Sequence, residues 1–168
     1  MPAHEIRPAG LGDLTSSLAN AIAQFEGYNV AGSVAQRNNN PGNLRSGPGQ
    51  TGTDASGYAI FPDASTGFAA LDNQISLNVS RGLSLETFIG GGATSSGGTY
   101  PGYAPSGDNN NVQNYVTFLA NELQIDPNTP LNQIGASPGS FRRVPPRLSL
   151  AAEHQAPRGT ELPSTSQA

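Results

Sequence analysis

The stretch IAQFEGYNVAGSVAQRNNNPGNLR, Ile22 to Arg45, decides how the rest of the chain is read. An amphipathic run ends in a single acid, Glu26, and Gly27 follows it as a helix stop. Past Arg37 come Asn38, Asn39, Asn40, Pro41, Gly42 and Asn43. Pro, Gly and Asn favour tight turns, and each Asn amide brings donors and an acceptor without charge. A helix ending on a carboxylate therefore runs into a loop dense in neutral hydrogen-bonding groups.

Outward from Glu26, the residues Leu14, Leu18, Ile22 and Phe25 recur at helical spacing. They predict a helix over about Thr15–Glu26, capped by Asp13 or Thr15. Residues 32–57 are rich in Gly, Asn and Pro and read as loop with a brief β-excursion. GYAIFP (Gly57–Pro62) alternates as a short strand, and Asp63 caps a helix with the stripe Phe68, Leu71, Ile75 and Val79. SLETFIG, from Ser84, predicts another short helix, and GGGATSSGG (Gly90–Gly98) a flexible loop. A further helix is expected over Asn110–Leu123, with Val112, Tyr115, Leu119 and Leu123 inward. Thr129 and Pro130 open one more turn. No internal repeat is present. The fold class is mainly α: a compact helical domain with long polar loops and room for a small β-hairpin.

This divides the chain into a loose arm (1–12), a domain (13–135) and a Pro/Ser/Arg-rich tail (136–168). The tail's short apolar patches, Phe141 and Leu148–Leu150, can pin it but cannot offset the entropy of ordering it all.

Composition narrows the chemistry. The chain of 168 residues has no cysteine, which removes disulfides, thiolate ligands and a cysteine nucleophile. Its two histidines, His4 and His154, fall in the arm and the tail. A Ser–His triad and a histidine-ligated metal are therefore disfavoured, and no cofactor or metal is expected. All eight basic residues are Arg, so Schiff-base chemistry is excluded. Residues 13–135 hold nine acids and three arginines (−6), and residues 136–168 four arginines and two acids (+2). An acidic domain suits phosphate backbones poorly, so no nucleic-acid partner is expected. The N-terminal sequence has neither a basic n-region nor an apolar h-region. No run reaches the ~20 apolar residues of a membrane span.

Glu26 is the residue of interest. The partial negative charge at a helix C-terminus disfavours a second negative charge there, and Phe25 and Tyr28 flank it. A carboxylic acid that holds its proton is what a general acid requires. An exposed helix-end glutamate without a role has the same spacing. The neighbouring amides suit a neutral ligand carrying amides and hydroxyls, such as an N-acetylated sugar; they also suit nothing more than tight turns.

The blocks FEGY…SVAQRNNNPGNLR, GYAIFPDASTGFAALDNQI, RGLSLETFIGG and YAPSGDNNNVQNYVTFLANEL separate these readings. In this order, from about Leu18 to Ile125, they resemble a family of peptidoglycan-cleaving proteins of the lysozyme-like superfamily. Many of its members are phage-encoded and similar to lytic transglycosylases. The resemblance implies an α+β lysozyme-like fold with Glu26 as catalytic acid. It implies that Asn39, Asn40 and Asn43 line the glycan cleft or brace its loop, and that Tyr103 walls it. Asp108 and Asn109 would cap the helix that follows. The insert GGGATSSGGTYPG departs from the short connection expected there. The implied partner is the glycan strand of peptidoglycan in the bacterial cell wall, with a virion or secretion assembly as a further partner through the tails.

Most glycosidases use two carboxylates, roughly 5–5.5 Å apart when retaining and 6.5–9.5 Å when inverting. Asp54 and Asp63 are the candidates for a second, with Asp63 better explained as a helix cap. An N-acetyl sugar can instead supply its own acetamide oxygen. The expected activity is therefore that of a lytic transglycosylase, with a hydrolytic muramidase or a non-catalytic glycan-binding virion component as alternatives. Arg37 and Arg45 bracket the amide loop; they pair with Asp54 or Glu86 to hold it, or they meet the muramyl carboxylate or stem peptide. Tyr58 and Tyr100 are candidates to stack on sugar faces.

Overall fold

The computed structural model describes residues 11–108 and 111–134. The tail 136–168, residues 1–10 of the arm, and Asn109 lie outside them. Among the described residues, five α-helices carry the structure: α1 Leu11–Phe25, α2 Val34–Arg37, α3 Ala64–Ser80, α4 Leu85–Gly90 and α5 Val112–Leu123. Two antiparallel hairpins lie between them, β1 Gly52–Thr53 with β2 Ala59–Ile60, and β3 Gly92–Ala93 with β4 Thr99–Tyr100. Short 3-10 turns occupy Ser106–Asp108 and Leu131–Gln133. The chain is mainly helical with small β-hairpins.

α1 packs against both α3 and α5, and α4 against α5. The periodic residues explain why. Leu14, Leu18 and Ile22 of α1 are buried with Leu71, Ile75 and Val79 of α3 and Tyr115 and Leu119 of α5. Leu85, Phe88 and Ile89 of α4 close the core from another side. Full burial of such a side chain contributes about 1.5–3 kcal/mol, so the stripes orient each helix. Phe68, Val112 and Leu123 are only partly buried at its edge. No helix among the described residues is long and apolar enough to cross a membrane.

α1 begins at Leu11, four residues before the expected start, so Leu11 and Gly12 belong to a helix and not to the arm. One glycine in a helix costs about 1 kcal/mol, which the buried face of α1 outweighs. The far end is as the Gly27 signal predicts. Gly27 sits at φ 74°, Tyr28 N–H donates to Ala23 O at 2.9 Å, and Gly27 N–H to Gln24 O at 3.1 Å. This Schellman closure leaves Glu26 as the last residue before the chain turns away.

Four other expectations are corrected. Residues 34–37 form a helical turn within what reads as loop, because Ser33 Oγ accepts from Gln36 N–H while Gln36 Oε1 accepts from Gly32 N–H. Gly90–Gly98 is not a flexible loop but runs into the β3–β4 hairpin, whose turn is tied by Thr94 to Gly98. The side-chain cap of α5 is Asn111, which accepts from Asn114 N–H at 3.0 Å; the role assigned to Asp108 and Asn109 belongs to it. The last turn is capped at Pro130 without a side-chain bond, so Thr129 is not its cap.

Asp63 caps α3 as expected, accepting from Thr66 N–H at 2.8 Å. One turn on, Gly67 lets the helix lie against the asparagine loop: a Cβ there would collide with the Asn39 carbonyl and come within 2.9 Å of Pro41 Cδ. Gly→Ala inside a helix ordinarily stabilises by about 1 kcal/mol. Here overpacking reverses the sign, so Gly67→Ala is expected to lower stability by about 1–3 kcal/mol in urea denaturation.

Candidate active site

The asparagine loop is built around Asn40, whose side chain is completely buried. Its Nδ2 donates to the carbonyls of Leu44 and Ala59, each at 2.9 Å, and its Oδ1 accepts from Leu44 N–H at 2.8 Å. One amide thus satisfies three backbone groups in two segments, which an apolar residue cannot do. Asn39 adopts φ 49°, a left-handed conformation that Asn tolerates, and donates to Phe61 O at 3.1 Å. Neither lines the cleft. Of the two roles the resemblance implied for them, these bonds are those of bracing the loop.

Asn43 is different. Also left-handed, at φ 46°, it lines a cleft of about 290 Å³ together with Glu26, Arg45, Tyr58, Gln74, Tyr100 and Tyr103. Its Nδ2 donates to Glu26 Oε2 at 2.9 Å. Tyr115 donates its phenol to Glu26 Oε1 at 2.7 Å. Both carboxyl oxygens are therefore held from different elements, the loop and α5. Phe25 stacks on Tyr115 with ring centroids 3.8 Å apart, so the residue before Glu26 steadies the phenol that bonds it.

Tyr103 donates its hydroxyl to the Gly42 carbonyl and meets the edge of Tyr115, centroids 6.5 Å apart. Burial pushes both phenols well above their ordinary pKa; for Tyr103 the charge of Glu26 adds to this, and for Tyr115 so do Tyr103 and Glu26. The two tyrosines stay neutral donors at any working pH. Tyr103 follows the insert directly and lines the cleft. Its N–H donates to Phe88 O and Ala104 N–H to Ile89 O, so the chain returns to α4 where it left.

The far side of the cleft belongs to the hairpins. Tyr100, at the end of β4, is half-buried, with Gln74 and Asn78 of α3 beside its hydroxyl. Tyr58 lies at the end of the β1–β2 turn with Arg45 above its ring, 4.5 Å from the centroid. Among the described residues lining the cleft, Glu26 is the only acid and Arg45 the only cation. Asp54 and Asp63 lie elsewhere, each absorbed by its own turn.

The expected pairing of Arg37 and Arg45 with Asp54 or Glu86 is corrected. Arg37 donates to Gly32 O and Arg45 to Ser56 O at 2.7 Å. Asp54 accepts from Ser56 and Tyr58 N–H and from Asn38 Nδ2 instead, while Glu86 accepts from Gln113.

Sequence reasoning missed Tyr115 and Gln74 as site residues. Tyr115 belongs to an apolar stripe and reads as core; the available signal was that a buried phenol needs a partner. Gln74 gives no such signal. No family model, characterised protein or solved structure matches the chain, so the lysozyme-like resemblance rests on the sequence motifs alone.

Asp54 is held below the usual carboxylate range by its bonds from Tyr58 N–H and Asn38, and Asp63 by those from Ser65 and Thr66. A lowered native pKa contributes stability above the unfolded value, near 3.8, that is lost as pH falls through the native one. Wild-type stability should therefore drop as pH falls below about 4. Asp54→Asn should lessen that drop, as followed by thermal melts at stepped pH.

Proposed function

We propose that the protein cleaves the glycan strand of peptidoglycan as a lytic transglycosylase, with Glu26 as its single acid and base. The observation that carries this reading is the doubly held carboxylate of Glu26 at the wall of a polar cleft with no second acid among its described lining residues. Two donors from different elements fix its orientation, and a proton-transfer group must be oriented before anything else. With no second carboxylate among the described residues lining the cleft, this reading assigns the nucleophile to the substrate. The acetamide of an N-acetyl sugar does so.

The steps balance on one group. Glu26 gives its proton to the glycosidic oxygen between N-acetylmuramic acid and N-acetylglucosamine, and the C1–O bond breaks as the leaving sugar gains a hydroxyl. The acetamide oxygen of the muramyl residue stabilises C1 as positive charge develops. Glu26, now a carboxylate, takes the proton of the muramyl 6-hydroxyl. O6 then bonds to C1, closing an anhydro ring and restoring the acid. Tyr115 can follow both states, because a hydroxyl donates to the carboxylate and accepts from the acid. Asn43 donates to the other oxygen through Nδ2. Tyr100, and Tyr58 on the face that Arg45 leaves open, are the cleft-lining rings this reading assigns to sugars.

Digestion of purified sacculi tests the reading. Mass spectrometry is expected to find 1,6-anhydro muropeptides. Products uniformly heavier by one water would mean that water attacks instead and the site is a muramidase. Glu26→Gln, nearly isosteric, is expected to abolish clearing in a zymogram; unchanged clearing would remove Glu26 from the chemistry. A wild type that clears nothing yet sediments with sacculi would mark a glycan-binding module.

Tyr115→Phe keeps the ring on Phe25 and removes only the phenol bond. It is expected to reduce kcat by roughly 10- to 100-fold with KM little changed, since orientation of the acid and not substrate contact is lost.

A further inference from the structure

The β1–β2 turn is built to present one side chain. Asp54 closes it from inside: Oδ1 accepts from Ser56 and Tyr58 N–H, each at 2.9 Å, and Asp54 N–H donates to Tyr58 O at 2.8 Å. Asn38 holds the other carboxylate oxygen at 2.7 Å. Gly57, at φ 82°, leaves space that Arg45 crosses; a Cβ there would stand 3.2 Å from its Nη1. The guanidinium rests on the Tyr58 face and donates one bond, to the Ser56 carbonyl.

Three consequences follow. The nearby carboxylate of Asp54 is spent on the turn and does not neutralise Arg45. The guanidinium is pre-oriented, so less entropy is lost when it binds. As the sole cation among the described residues lining the cleft it shares with Glu26, and exposed, it offers a planar fork that fits a carboxylate. A neutral sugar strand makes no use of that charge.

We propose that Arg45 binds a carboxylate carried on the 3-position of the muramyl residue, so that the cleft selects peptidoglycan over neutral N-acetylated glycans. The inference rests on the glycan-cleaving reading above and names what that site distinguishes. Two sources share this chemistry: the lactyl carboxylate itself, free on a strand without peptide, and a carboxylate on the stem peptide.

The test compares three ligands: peptide-bearing glycan, the same glycan stripped of peptide by an amidase, and a chitooligosaccharide of matched length. Affinity is measured on Glu26→Gln, so that binding is read without cleavage. Arg45→Gln in that background is expected to weaken the anionic ligands roughly 10- to 100-fold and leave the chitooligosaccharide within about two-fold. Arg45→Lys should recover part of the loss. Dependence on Arg45 for the stripped strand assigns the lactyl carboxylate; dependence only for the peptide-bearing strand assigns the stem. Equal weakening of all three ligands, or none of any, overturns the proposal. Cleavage by the wild type is scored separately: a protein that binds with Arg45-dependent preference but cuts nothing loses the enzymatic reading and keeps this one.

Discussion

The asparagine loop depends on one buried amide. Asn40 ties its own segment to Leu44 and, across the chain, to Ala59, so that the loop and the first hairpin move as one body. Everything facing the cleft from this side hangs on those bonds. Asn43 lies three residues past Asn40, and Arg45 two past Asn43. Tyr58 directly precedes Ala59. A polar group sealed from water must find partners or cost the fold several kcal/mol, and here that requirement itself sets the register of the loop.

Around Glu26 the same logic produces rigidity by different means. The end of α1 is closed by backbone bonds, the carboxylate is held by an amide and a phenol, and the phenol is stacked on the preceding ring. Such an acid has few orientations to lose when a ligand arrives. Tyr103 completes the arrangement from beneath by fastening the Gly42 carbonyl, and Gly42 has no room for a side chain because Leu71 and the Tyr103 hydroxyl fill the space.

Periodic, local features were legible in the sequence; pairings between distant segments were not. Leu18, Ile22, Leu71, Ile75 and Leu119 announce their helices because burial repeats at the helical period. Gly27 and Asp63 announce an end and a start because each acts on its own neighbours. Asn39, Asn40 and Asn43 look alike in sequence, yet the first two brace the loop and the third meets Glu26. Partners far along the chain set them apart: Asn40 reaches Ala59 as well as nearby Leu44, Asn39 reaches Phe61, and Asn43 reaches Glu26. Tyr115 was hidden for a related reason: its ring behaves as core while its hydroxyl crosses to α1. The insert looked loose because glycine and serine carry no hydrophobic signal, although Thr94 and the paired backbone give it shape.

That insert leaves the domain through Gly90 and Gly91 and comes back through Pro101 and Gly102, with the backbones in direct contact; a Cβ on Gly102 would meet Gly90 C at 2.8 Å. A closed neck of this kind sets the hairpin's tip apart, while Tyr100 at its base stays packed against the core. Ser95, Ser96 and Gly97 at its tip are exposed. The tip is thus a natural port: a dye, an affinity tag or a longer recognition strand grafted there would project from the hairpin, beyond the neck that precedes Tyr103.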